Sequence, residues 1–81
     1  MLYVYILRSI KQPKQTYIGA TEDLNQRLAD HNEGRGAAHT NKFAPWETLV
    51  AIRFSDHAKA WAFERYLKGG SGKAFIARHF L

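Results

Sequence analysis

The sequence predicts an α+β domain, on three observations. Two short aromatic and β-branched runs are separated by a turn, a third such run lies in the second half, and amphipathic stretches with helix-cap residues fill the intervals. Its 81 residues amount to one domain, 1–81, near the size at which a single core only just suffices. A hydrophobic content of 46%, with 14% aromatic, makes that core plausible. The absence of cysteine excludes a disulfide-stapled secreted scaffold and a thiolate zinc module, so a cytoplasmic protein is expected. The apolar run Leu2 to Leu7 is too short for a signal segment or a membrane span. A net charge of +5 favours an anionic partner, most often nucleic acid for a domain of this kind.

The first strand, Leu2 to Arg8, places Leu2, Val4 and Ile6 on one face and Tyr3, Tyr5 and Leu7 on the other, with both faces at least half buried. Ser9 to Gln15, with Pro13 among Lys and Gln, has a turn composition, and Thr16 to Ala20 returns as a second short strand. An antiparallel hairpin then brings Tyr5 close to Tyr17. Thr21 is the expected N-cap of a helix running to about Asn32, with Glu22 and Asp23 in its first turn complementing the dipole and Gly34 as the stop. On that helix Arg27, His31, Leu24 and Leu28 share one arc, so Arg27 and His31 flank the buried stripe.

Glu33 to Pro45 shows no apolar period and reads as an exposed loop whose Arg35, His39, Asn41 and Lys42 offer a contact surface for an anionic polymer. Trp46 to Phe54 is a third strand. Ser55 or Asp56 caps a helix through about Lys68, on which Glu64 shares an arc with Ala60, Trp61, Phe63 and Leu67 and so points to the core edge. Gly69 and Gly70 end that helix, Ser71 caps a last short one, and Phe75, Ile76 and Phe80 pack it back on the sheet.

A carboxylate at a core edge needs a cation, a metal or a bonded donor, because burying it alone is costly. An ion pair from Glu64 to Lys68 or Arg65 would meet that need without any function. Strand tyrosines and helix-edge arginines likewise have ordinary structural roles. Together, however, these side chains answer a chemical requirement. Hydrolysis of a phosphodiester needs a water nucleophile, a proton acceptor, positive charge at the phosphoryl oxygens and help for the leaving alkoxide. Tyr5 or Tyr17, Arg27 and a Mg²⁺ (or Mn²⁺) held by Glu64 supply these, because Mg²⁺ accepts one or two carboxylates plus substrate phosphate and Arg presents a planar fork to phosphate. A phenol with a pKa near 10 must be activated by nearby positive charge or share the work with His31 or the metal.

Two other motifs fail. Gly70-Ser71-Gly72-Lys73 is similar to a phosphate-binding loop, but Leu67 stands at its first glycine, Ala74 at its Ser or Thr, and a helix precedes it. His31, His39, His57 and His79 lack the close pairing of a zinc site.

The order Tyr3-Val4-Tyr5, eleven residues, Tyr17-Ile18-Gly19, then Arg27 in a helix and Glu64 in a later one resembles the GIY-YIG nuclease domain over nearly the whole chain. It most resembles the small stand-alone bacterial members, whose domain is also the catalytic half of homing endonucleases and of an excision-repair incision subunit. Tyr3 and Val4 replace the Gly and Ile of the first motif. The resemblance implies a three-stranded antiparallel sheet flanked by helices and divalent-metal hydrolysis of DNA. By position, it implies that Tyr5 orients or deprotonates the water beside Tyr17, that Arg27 stabilises the pentacovalent phosphate, and that Glu64 ligates the metal. His31, one turn beyond Arg27, assists proton transfer or holds the phosphate.

The leading expectation is a metal-dependent DNA endonuclease of low sequence specificity, monomeric or weakly dimeric. Its nucleic-acid contacts would come from Arg35, His39, Lys42, Lys68, Lys73 and Arg78, with a partner protein as another source of specificity. The runner-up is a binding module of the same fold, for DNA or RNA, that hydrolyses little. A third reading is a protein-interaction domain with an aromatic oligomer interface.

Overall fold

The computed structural model describes residues 1–36 and 38–81, except for the side chains of 38 and 39. Strands β1 (Leu2–Ser9), β2 (Thr16–Thr21) and β3 (Trp46–Phe54) form one antiparallel sheet in the order β2-β1-β3. The expected α+β architecture is therefore present, with the N-terminal hairpin extended on its other side by β3. In the hairpin register Tyr5 faces Gly19 and Leu7 faces Tyr17. Between β1 and β3 the register slips after Ile6, which faces Val50, while Leu7 faces Thr48. The extra residue, Leu49, makes a bulge, and Leu49 and Val50 both pack on the same core.

The alternation of β1 gives the sheet two cores. Leu2, Val4 and Ile6 are covered by Ala60 and Leu67 of α3 (His57–Lys68) and by Ile76 of α4 (Gly70–His79). Each such buried aliphatic side chain contributes about 1.5–3 kcal/mol. Tyr5 and Leu7 lie on the opposite face with Trp46, under Leu24 and Leu28 of α1 (Leu24–Asn32) and next to Phe43 and Ala44, which follow α2 (Ala38–Lys42). Asn32 ties α1 to the start of β3: its Oδ1 accepts from the Trp46 N–H at 2.6 Å and its Nδ2 donates to the Trp46 carbonyl at 3.2 Å. The buried Ser9 hydroxyl donates to the Phe43 carbonyl at 2.6 Å and fixes the end of β1 against the same segment.

Three local expectations need correction. Asp23, not Thr21, caps α1: its backbone is extended and its Oδ1 accepts from the Gln26 N–H at 3.0 Å. Thr21 still belongs to β2, and its hydroxyl accepts the Asp23 N–H at 3.1 Å, so it shapes the turn into the helix. Consequently Glu22 and Asp23 precede the first helical turn. Asp56 does cap α3, accepting from the Lys59 N–H at 3.2 Å. At the second break α4 begins at Gly70, with extended Gly69 as its N-cap, so Ser71 is a helix residue rather than a cap. A Cβ on Gly72 would run into the Tyr66 carbonyl and the Leu67 backbone, which makes glycine necessary where α4 turns back on α3.

The third correction concerns 33–45. This segment contains α2, and Thr40 within it is wholly buried, so it is not a uniformly exposed loop. Periodicity missed the helix because its buried contact is a hydroxyl bonded to a histidine, which leaves no apolar stripe in the sequence.

Candidate active site

The polar half of the second core is organised around Tyr5. β1 is the central strand, so Tyr5 sits mid-sheet and only 2% exposed, with the Tyr17 ring 6.4 Å away on the neighbouring strand. Gly19 makes this possible: a Cβ there would lie 2.5 Å from the Tyr5 hydroxyl oxygen, so the phenol lies across a position only glycine leaves open.

α1 lies over the two phenols and presents Arg27 and His31 one turn apart. His31 is completely buried, and its Nε2 is 3.2 Å from the Tyr5 hydroxyl. Its ring also packs on Tyr17, at 4.7 Å between centroids. On the far side of the imidazole, Nδ1 is 2.9 Å from the Thr40 hydroxyl. The Arg27 guanidinium lies 3.5 Å from the Asp30 carboxylate and close enough for its charge to act on the Tyr5 hydroxyl.

Electrostatics follow from this packing. Burial raises the Tyr5 phenol above its ordinary value, and the nearby Arg27 guanidinium pulls in the opposite direction. Burial lowers His31, the Arg27 charge lowers it further, and Asp30 opposes the shift, so the imidazole is neutral at pH 7. Arg27 is held above its usual range, chiefly by its interaction with Tyr5. Asp30 is held below the ordinary carboxylate value by hydrogen bonds from Gln26 and then Arg35, against desolvation.

Glu64 comes from the other side of the sheet. It is 8% exposed on α3, its Oε2 pairs with Lys68 Nζ at 2.8 Å, and its charge acts on the Tyr5 hydroxyl. The structural ion pair considered from sequence is thus present. Among the described residues there is no cluster of three or more His, Asp or Glu that could hold a metal. One carboxylate oxygen donor suits a hard cation that keeps most of its water, so the residues present fit Mg²⁺ or Mn²⁺ and not a zinc cage.

The predicted catalytic residues Tyr5, Tyr17, Arg27 and His31 therefore meet in one network, with Glu64 within electrostatic reach. His31 is more central than its expected flanking position. The basic residues are scattered by comparison. Lys68 and Lys73 border a cavity of about 370 Å³ with Thr16, Tyr17 and Ile18, next to the second phenol. Arg78 lines a separate hollow with Tyr66 and His79. Arg35 is held by Asp30 at 3.1 Å and Glu33 at 2.9 Å, and exposed Lys42 lies 5.7 Å over the Phe43 ring. The His39 side chain lies outside the described residues. Sequence reasoning did not single out Gly19 as the floor under Tyr5, or Thr40 as the second partner of His31. Gly19 could have been found from the hairpin register, whereas Thr40 carried no signal.

Known proteins share this arrangement of chain. Residues 1–76 match the model of the GIY-YIG catalytic domain. The chain is 39% identical over 82 residues to a structure-specific endonuclease subunit, SLX1, of Candida dubliniensis, a match covering 94% of this chain and 27% of that protein. It is 35% identical over 66 residues to a UPF0213 protein of Lactococcus lactis subsp. cremoris, covering 82% of this chain and 65% of the relative. The chain therefore spans about a quarter of the length of the SLX1 relative and just under two thirds of the bacterial one. Among solved structures, the solution structure of a UPF0213 protein from Bacillus halodurans matches with a TM-score of 0.56 and 27% identity, over 96% of this chain and 84% of that one.

Proposed function

The chain belongs to the GIY-YIG nuclease family, and from that premise we propose that it is a divalent-metal-dependent DNA endonuclease that reads the shape of its substrate more than its sequence. The observation that carries this reading is the buried Tyr5 hydroxyl 3.2 Å from His31 Nε2, with Arg27 on the same helix acting on both groups. A buried tyrosine needs one hydrogen-bond partner; this one has a base as that partner and a phosphate-binding cation nearby.

The proposed chemistry uses these groups in order. The attacking water gives its proton to the Tyr5 oxygen as the phenolic proton passes to His31 Nε2, which avoids a buried phenolate; its oxygen bonds to phosphorus, the bond to the leaving oxygen breaks, and that alkoxide takes a proton from solvent water. Arg27, close to that hydroxyl, offers its N–H groups to the phosphoryl oxygens as negative charge builds there. Tyr17 walls the site and holds the imidazole edge. Glu64 would hold the metal, which when bound supplies Lewis-acid stabilisation of the phosphate oxygens. Lys68, whose side chain is 53% exposed, can swing into solvent at small cost and turn toward the backbone of the polymer with Lys73.

The SLX1 relatives are named as structure-specific endonuclease subunits, which supports branched or otherwise distorted DNA as the substrate class and a partner protein as a source of affinity. No helix among the described residues is long and apolar enough to cross a membrane. The test is a panel of single-stranded, duplex and branched DNA with Mg²⁺, Mn²⁺ or chelator. Cleavage is expected with metal and a branched substrate, falling by about 10²–10⁴-fold in Glu64→Ala. Undiminished cleavage by purified Glu64→Ala would sink the mechanism. A second reading, a binding module that hydrolyses little, is favoured by the Glu64–Lys68 pair, which already neutralises the carboxylate. Salt-sensitive binding without metal-dependent cleavage on every substrate would select it.

A further inference from the structure

We propose that Thr40 is a positioning residue of the site: its hydroxyl accepts the Nδ1 proton of His31 and so turns the Nε2 lone pair toward the Tyr5 hydroxyl. A neutral imidazole carries one proton, and which nitrogen holds it decides whether the ring can take a proton from Tyr5. The geometry offers a partner at each nitrogen. Nε2 is 3.2 Å from the Tyr5 hydroxyl and can accept its proton only when bare. The ring proton then belongs on Nδ1, 2.9 Å from the Thr40 oxygen, which can accept it and leave the Nε2 lone pair aimed at Tyr5.

The bond is built into the fold. His31 and Thr40 are both 0% exposed, so water does not compete for either group. The Trp46 indole N–H donates to the Thr40 carbonyl at 2.8 Å and holds α2 in place against the second core. Gly36 covers the pair so closely that a Cβ there would strike His31 Nδ1 and come within 2.8 Å of the Thr40 hydroxyl. The same logic orients histidines in other catalytic and metal sites, where the partner of the second ring nitrogen fixes the tautomer.

This inference rests on the proposed role of Tyr5 and His31, but its decisive measurement does not need nuclease activity. In ¹⁵N-labelled protein at neutral pH, the side-chain nitrogens of His31 should show a protonated Nδ1 and an unprotonated Nε2. Thr40→Val should lose that pattern and Thr40→Ser should keep it. If cleavage is observed, Thr40→Val should lower kcat by about 10–100-fold with KM nearly unchanged, and Thr40→Ser should restore most of the rate. A wild-type His31 protonated on Nε2 would overturn the proposal whatever the activity, and so would an unaltered tautomer in Thr40→Val. Should Thr40→Val fail to fold, the wild-type spectrum and Thr40→Ser still decide. The expected tautomer without cleavage on any substrate would instead refute the nuclease reading and leave the orientation by Thr40 standing.

Discussion

The two faces of the sheet are built from alternate residues of one strand, yet they are held together by different physics. Behind Leu2, Val4 and Ile6 lies an aliphatic core closed by Ala60, Leu67 and Ile76. Behind Tyr5 lies a core in which the fully buried groups include an imidazole and a threonine hydroxyl, with the Arg27 charge acting on the phenol. The first face gains stability from area removed from water and tolerates modest changes of shape. The second gains less for the same volume, because each hydrogen bond only replaces one made to water, and a single missing partner leaves a costly orphan. Period-2 alternation in a central strand thus lets an 81-residue chain bury an aliphatic core on one side of a backbone and a hydrogen-bonded polar network on the other.

The comparison breaks most visibly at Tyr5. Tyr5→Phe keeps the ring and removes the hydroxyl, so cleavage should fall by about 10²–10⁴-fold, or about 3–5 kcal/mol of barrier, while folding loses about 1–3 kcal/mol because the buried His31 Nε2 is left without its partner. Rate assays beside thermal melts separate the two, and a melt that collapses with the activity would mean that the polar face carries the stability as well. The mirror experiment is Leu67→Ala, which empties the aliphatic face. It should cost about 2–5 kcal/mol in denaturant unfolding and leave the rate per folded molecule unchanged. A small domain has little stability to lose, so the measurement belongs well below the melting temperature.

The smallest effect concerns pH. Because burial and Arg27 lower His31 in the folded state, the unfolded chain binds the extra proton first as pH falls. The stability owed to a neutral His31 is therefore complete above the unfolded value of about 6.5 and is lost as pH drops from there toward the lowered folded value. Melts between about pH 7.5 and about pH 5 should show a decline that His31→Gln reduces. An equal decline in that variant would place the proton uptake elsewhere. Cleavage should fall at the acid end of that range, where the folded imidazole itself takes up a proton and can no longer accept from Tyr5.

How far the sequence disclosed all this depends on which face is considered. The aliphatic face was legible: alternation in Leu2–Arg8 and the arc through Ala60 and Leu67 are apolar signals, and apolar signals are what periodicity detects. Tyr5, Tyr17, Arg27 and Glu64 were legible because their combination answers a chemical requirement and because their order resembles a known family. The hidden parts are polar and local. Thr21 and Asp23 are both good caps, and only the course of the turn decides between them. Among its described side chains α2 buries the Thr40 hydroxyl, and nothing in the sequence of Ala38–Lys42 marks Thr40 above its neighbours. Ser71 looked like a cap because the close approach of α4 to Leu67, which demands Gly72, is a property of tertiary packing alone.

The sheet order carries one more consequence. β1 is laced to a neighbour along both sides, whereas β2 and β3 are each laced along one. The two phenols consequently belong to parts of the molecule with different freedom to breathe: the rims of a sheet open first, and the middle opens with the whole. Tyr17, on the rim beside Lys68 and Lys73, therefore has more freedom to move with the sheet edge than Tyr5, although its ring rests on His31. The molecule is arranged like a vice with one fixed jaw and one compliant jaw, and the fixed jaw is the one that holds the proton.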